Sequence, residues 1–334
     1  MPSDKIDEPA RHTVTPSASI PCDSDPLLVR IDGDTSGEGA DTLLGVSIAV
    51  ACGLGRSVRL IARPSLAEEG RAPIGPVDWD LARRAEEAHL AALVAAHADT
   101  PCPLDFIVLD RFGRDEIEAD EPVVAMARDA HASPWHADGE LGRFLADSPG
   151  SVLLVPMHSG EHDAVRIERI MISLDGSARA ECALPNAVAI ARRHGAELAL
   201  VHVSPEPPLT AGGALDDALA ARHLRAADAY LAALRVRHMD TDVTLRTRLL
   251  DAGDARRRLV DVADAERADL IVVAARGASG HLDVPSGSGA SYVLQHASAP
   301  LLMVGSGMFS RAEGRDAGRT GSGTRPPALL NGRR

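Results

Sequence analysis

Two stretches 143 residues apart read nearly alike: Leu28-Val29-Arg30-Ile31-Asp32-Gly33 and Met171-Ile172-Ser173-Leu174-Asp175-Gly176. Each is an apolar run of strand length ending in an Asp-Gly turn. Each leads into a helical pattern closing near glycine, over 40–55 and 178–195, and then into a second apolar run, 58–62 and 198–203. The two segments also close alike, on Pro149-Gly150-Ser151-Val152-Leu153-Leu154-Val155 and on Pro300-Leu301-Leu302-Met303-Val304. A repeat this long is a duplicated domain, because solenoid units run only about 20–50 residues.

The second copy alternates strand and helix throughout. Strands are expected at 170–174, 197–203, 243–249, 269–273 and 301–304, with helices at 178–194, 214–238, 254–267 and 288–297. In the first helix Leu184, Ala187, Val188 and Ala191 share a face. Pro185 should bend that helix, since it has no N–H to give. Five strands rich in Val, Leu and Ile with helices between them specify an α/β fold, an open and mostly parallel sheet covered on both faces. The first copy starts the same way, with a helix at 78–97 and a strand at Leu104–Leu109. Counted from the first strand, Glu118–Ala130 falls where a helix is due, and Ser133-Pro134-Trp135-His136-Ala137-Asp138-Gly139 where a fourth strand and glycine loop are due. The expected division is a disordered leader over 1–25, a degenerate domain over 26–156, a linker over 157–167, a second domain over 168–306 and a disordered tail over 307–334.

Bulk composition narrows the classes. With 334 residues, 45% hydrophobic and only 2% aromatic, the chain can build two cores from Ala, Leu, Val and Ile. A net charge of -13 argues against nonspecific binding to nucleic acid or an anionic membrane. Cys22, Cys52, Cys102 and Cys182 form no Cys-x-x-Cys pair, and Cys52 and Cys182 lie in apolar helical patterns that suit buried thiols. His131, His136 and Asp138 lack the spacing of metal ligands. With no signal-like start and no apolar run long enough to span a bilayer, a soluble cytoplasmic protein is expected.

The chemistry concentrates where two strands of the second copy end. After Leu270-Ile271-Val272-Val273 comes Ala274-Ala275-Arg276-Gly277, then nine residues, then Gly287-Ser288 at the start of a helix. Backbone N–H groups of such a loop, with a helix N-terminus behind it, can surround a phosphate. Gly277 permits close approach or positive φ, and Ser288 can cap the helix or donate to a phosphate oxygen. Asp283 puts a negative charge inside the loop, whereas Arg276 could reach a phosphate or stay solvated. In a parallel sheet this strand end can sit beside Leu174-Asp175-Gly176-Ser177. For Asp175 a turn-forming role is the structural alternative to ligand binding, as an N-cap is for Ser177. His202 and His296 read as packing or surface residues.

The ordered set Leu174-Asp175-Gly176-Ser177, Ala196-Glu197-Leu198-Ala199-Leu200-Val201-His202-Val203, Ala268-Asp269-Leu270-Ile271-Val272-Val273, and Gly287-Ser288 followed by Val293 through Pro300 resembles the universal stress protein family. The resemblance is strong over 168–304 and weak over 27–156, and so implies two tandem Rossmann-like domains of the adenine nucleotide alpha hydrolase type. ATP-binding members carry Gly-x-x-Gly, nine residues, then Gly-Ser/Thr. Here Gly277, Gly287 and Ser288 match, and Ala274 stands where the first glycine would be. If that position needs positive φ, a Cβ costs about 1 kcal/mol. The resemblance implies ATP, with Mg²⁺ on its phosphates, held by Ser173, Leu174, Asp175, Val203, Ala274, Gly277, Gly287, Ser288 and Gly289. It also implies that last strands pair across a domain dimer and that the first copy stands in for a second subunit; a homodimer of whole chains and an unknown protein partner both stay open.

Relatives that do chemistry are separated by what is missing. There is no Lys before Ser288 as a P-loop needs, no glycine cluster after the first strand for a dinucleotide, and no Ser-His-Asp or Cys-His order for nucleophilic catalysis. A non-enzymatic, at most weakly hydrolysing, ATP-binding stress-response protein is expected, and a scaffold of the same fold that binds no nucleotide is the alternative.

Overall fold

The computed structural model describes residues 12–14, 24–31, 38–64, 76–109, 122–128, 150–157, 165–204, 214–239, 241–250, 253–275 and 288–305. The first half supplies β1 (His12–Val14), β2 (Ser24–Ile31), α1 (Glu38–Leu54), β3 (Arg56–Ala62), α2 (Pro76–Ala96), β4 (Leu104–Val108), β5 (Val123–Arg128) and β6 (Ser151–Pro156). The second half supplies β7 (Arg169–Ser173), α3 (Ala178–Glu181), α4 (Leu184–His194), β8 (Glu197–Val203), α5 (Ala214–Arg237), β9 (Thr244–Leu250), α6 (Ala255–Ala265), β10 (Leu270–Ala274), α7 (Ser288–His296) and β11 (Leu301–Val304).

All these strands lie in one sheet, in the order β1-β4-β3-β2-β5-β6-β11-β10-β7-β8-β9. Within β4-β3-β2-β5-β6 and within β9-β8-β7-β10-β11 every pairing is parallel. Each half is therefore a doubly wound unit of order 3-2-1-4-5. The halves meet at β6 and β11, which run antiparallel with Leu301 opposite Leu154, Leu302 opposite Leu153 and Met303 opposite Val152. Leu27 pairs with Val123 as Ile170 pairs with Leu270, so Val123 and Leu270 are equivalent positions. Carried to the last strands, the same register makes Val152 equivalent to Leu301 and Leu153 to Leu302. The seam thus maps onto itself about the Leu153–Leu302 pair. Its antiparallel pairing turns the carboxyl ends of the two sets of strands in opposite directions.

Alternation along the strands feeds two layers of core. Leu27, Val29 and Ile31 point into one layer with α1 and with Leu90 and Val94 of α2; Leu28 points the other way, onto Ile61 and Val124. The first layer continues across the seam to α4 and to Leu231 and Leu234 of α5. On the opposite face Leu259, Val260 and Ala263 of α6 and Val293 and Leu294 of α7 cover Met171, Ile271, Val273, Leu301 and Met303. Burying one such Leu or Val side chain is worth about 1.5–3 kcal/mol. The halves also meet through helices. A Cβ on Gly53 of α1 would lie 2.8 Å from Ile190 Cα of α4, and His194 donates from Nε2 to the Ala49 carbonyl at 2.8 Å.

Several sequence expectations change. Within the helix expected over Glu118–Ala130, Val123–Arg128 is instead a strand, placed between β2 and β6. Val-Val-Ala-Met-Ala is too short a run for periodicity to separate strand from helix, and its burial between two parallel neighbours decides it. Residues 133–139, placed at that strand by counting, lie outside the described residues. Pro185 does more than bend the 178–194 helix. The chain breaks into α3 and α4, and the proline sits in the first turn of α4, where its missing N–H leaves no helical bond unmade. Leu184, Ala187, Val188 and Ala191 are buried as the pattern requires. Inside the segment read as a leader, His12–Val14 pairs antiparallel with β4. Cys52 and Cys102 are buried, whereas Cys182 ends half-buried at the α3 C-cap.

Candidate functional site

β7 and β10 are neighbours, Leu270 to Val272 pairing with Ile170 to Ile172, so their carboxyl ends lie side by side. After β7 the chain turns to α3 and α4 on one face, and α7, which precedes β11, packs on the other. This is the topological switch point of the second half, where a doubly wound sheet opens a crevice beyond its strand ends. The candidate residues Ser173, Leu174, Asp175 and Ala274 all stand at it.

The Leu174-Asp175-Gly176-Ser177 turn is held from both sides. Leu174 donates its N–H to the Val201 carbonyl at 2.9 Å, and its own carbonyl accepts from His202 Nδ1 at 2.8 Å. His202 is buried in β8 and meets the Tyr230 ring of α5 edge to face, with centroids 6.1 Å apart. Gly176 takes φ +82°, a conformation its lack of a Cβ allows. Asp175 is exposed, and its Oδ1 accepts from the Ser177 N–H at 2.9 Å and the Ser177 hydroxyl at 2.6 Å. Ser177 in turn caps α3 by accepting from Ala180 N–H at 3.1 Å. Both structural roles weighed for these two residues are therefore present, and they fix the carboxylate at the mouth of the crevice. Burial, with Glu181 beside it, pushes the Tyr230 phenol far above its ordinary range and keeps it neutral.

Ala274 is the last residue of β10 and pairs with Val304; the next residue, Ala275, donates to the Val304 carbonyl at 2.9 Å. Among the described residues the only non-glycine positive φ values belong to Asp242 and Arg267. Ala274 is ordinary strand, so its Cβ carries no left-handed strain. Val203 closes β8, half-buried and paired with Leu250. Ser288 and Gly289 open α7. Arg276, Gly277, Asp283 and Gly287 lie outside the described residues, as do His131, His136 and Asp138.

α6 and α7 pack side by side next to the crevice. Asp254 caps α6, accepting from Arg256 N–H, and the Arg256 guanidinium holds its carboxyl below the usual range. That guanidinium lies 5.9 Å from the centroid of Tyr292, whose ring stacks on His296 at 3.9 Å. At the other end of α7, Arg128 of β5 donates through Nη1 to the Leu294 carbonyl and through Nη2 to the Ala297 carbonyl. The sequence reading missed the bonds of His202 and Arg128. A polar residue inside an otherwise apolar strand signals His202, but nothing local marks Arg128. Among the described residues no three His, Cys, Asp or Glu side chains gather as a metal site, and no helix is long and apolar enough to cross a membrane.

The comparisons with known proteins agree with this fold. Residues 166–305 match the model of the universal stress protein family. No curated protein matches the chain. A universal stress protein from Archaeoglobus fulgidus is similar over 83% of this chain and 96% of its own, at 18% identity and TM-score 0.53. A functionally unknown protein from Pseudomonas aeruginosa is similar over 89% of this chain and 98% of its own, at 14% identity and TM-score 0.54. Universal stress protein UspA from Lactobacillus plantarum is 28% identical over 42% of this chain and 98% of its own, with TM-score 0.38. Residues 166–305 are thus a universal stress protein domain.

Proposed function

We propose that the second half binds an adenine nucleotide, ATP with Mg²⁺ on its phosphates, and that the protein is a cytoplasmic stress-response regulator rather than an enzyme. One juxtaposition carries the reading: the fixed Asp175 turn ends β7 directly beside the end of β10, after which the sequence runs on to Gly277 and Gly287-Ser288. The residues present suit the group. An exposed carboxylate can accept from a ribose or adenine, and backbone at Leu174 and Val203 lies at neighbouring strand ends. The unstrained backbone at Ala274 removes one objection to the missing glycine. Gly277, Gly287, Ser288 and Gly289 would cradle the phosphates, with the N-terminus of α7 behind them. The first half, read as a degenerate domain over 26–156, would serve as a built-in partner for the domain over 168–306.

Calorimetric titration of ATP and Mg²⁺ into nucleotide-free protein tests this, with Asp175→Ala and Gly277→Val alongside. Saturable binding at one site per chain is expected, much weakened in both folded variants. At a hundredfold excess over Kd, ATP should stabilise the fold by about 2.7 kcal/mol. No heat and no thermal stabilisation at millimolar ATP would overturn the reading and leave a scaffold. Steady turnover of a second substrate would instead make the protein a phosphate-transfer enzyme.

A further inference from the structure

We propose that Arg128 of the first half is a positioning residue for the nucleotide site of the second, holding the far end of α7 so that its first turn faces the β7–β10 crevice. This rests on the nucleotide reading above. Strand register makes Arg128 the equivalent of Ala275, because Val123 corresponds to Leu270. In the second half that position is followed in sequence by Gly277 and Gly287-Ser288. In the first half it carries a guanidinium that leaves its own half altogether. The antiparallel seam explains how: the carboxyl end of β5 lies at the end of the second half where α7 finishes, opposite the crevice.

The chemistry at the contact is specific. α7 ends at His296, so the Leu294 and Ala297 carbonyls fall where a helix has run out of N–H partners. A planar cation with several N–H groups can satisfy two such oxygens together, and its charge opposes the negative end of the helix dipole. The guanidinium is half-buried, and burial alone pushes its pKa down, so these carbonyls replace solvent it has lost. α7 has nine residues, about 13 Å, too short to hold itself in water. Its setting comes from contacts: Val293 and Leu294 in the core, Ser298 just beyond donating to Asp264 of α6 at 2.6 Å, and Arg128. Of these polar contacts, Arg128 alone comes from the first half. Nucleotide affinity in one half thereby depends on a side chain of the other.

Arg128→Met, which keeps length and removes the donors, and Arg128→Lys, which keeps charge and loses the fork, test this in the full chain. Two readouts are needed: amide hydrogen exchange and ATP titration. In Arg128→Met, α7 amides should exchange about tenfold faster while α4 amides hold steady, and Arg128→Lys should fall between. ATP Kd should rise about fivefold or more with stoichiometry unchanged. Unchanged α7 exchange in either folded variant would overturn the positioning role. Faster exchange with unchanged ATP affinity would overturn the coupling. Wild-type protein that binds no ATP, with α7 still loosened by the Met variant, would defeat the nucleotide reading and leave the placement of α7 by Arg128 standing.

Discussion

The two halves share strand order, pairing register and a common seam, and differ most where the fourth strand ends. In the second half β10 delivers Ala274 and Ala275 into a stretch with Gly277 and Gly287-Ser288. In the first half β5 delivers Arg128, and the next glycines are Gly139-Glu140 and Gly142-Arg143, neither followed by a hydroxyl residue. Core positions have no such freedom: a parallel strand buried on both faces must stay apolar whichever half it serves. Strand ends and loops lie outside that constraint and can take up interface work. The outer edges differ too. In the first half β1 covers β4, whereas β9 is the last strand on its side among the described residues, its Arg246 and Arg248 paired with Glu197 and Glu266. Charged side chains on an edge strand discourage pairing with another chain.

The strongest way to break the comparison is at the pseudo-dyad. Leu153 and Leu302 are both fully buried and face each other across the seam. Leu302→Ala and Leu153→Ala should each cost about 2–5 kcal/mol, read from urea unfolding. The equivalence predicts similar losses for the two, and a double variant short of their sum because they line one cavity. If Leu153→Ala were nearly silent, or unfolding split into two transitions with only one moved, the halves would not share a core. A smaller effect is expected between the helices. Gly53→Val should cost about 1–3 kcal/mol by forcing α1 away from Ile190, and lower Tm accordingly. An unchanged Tm would show that the α1–α4 contact carries little of the joint between the halves.

Much of this was legible in the sequence, for identifiable reasons. The 143-residue repeat and the five apolar runs of the second half place β7, β8, β9, β10 and β11 within about a residue of their bounds, because both periodicity and turn residues mark them. β5 was misread because counting from the first strand assumes equal loops, and a run of six cannot separate strand from helix. The better signal was Ala119-Asp120 shortly ahead of Val123-Val124, echoing Ala268-Asp269 ahead of Leu270-Ile271. Asp175 and Ala274 were placed beside each other through strand ends, which sequence shows. The bonds of His202 and Arg128 to carbonyls 28 and more than 160 residues away depend on sheet order and on the antiparallel seam, which no local pattern encodes.

The smallest predicted effect addresses the residue that separates this chain from the glycine pattern of ATP-binding relatives. If Ala274 stood in a conformation only glycine tolerates, Ala274→Gly would stabilise the protein by relieving strain. The backbone there is ordinary strand paired with Val304, so glycine offers no relief and adds freedom to the unfolded chain. Ala274→Gly should therefore lower stability by about 0.5–1 kcal/mol, the usual cost of glycine within a strand. ATP affinity should shift by no more than about twofold, roughly 0.4 kcal/mol, if the methyl group lies clear of the ligand. A rise in Tm would mean that position 274 is strained after all. ATP binding tightened tenfold would mean that the methyl occupies space the nucleotide needs.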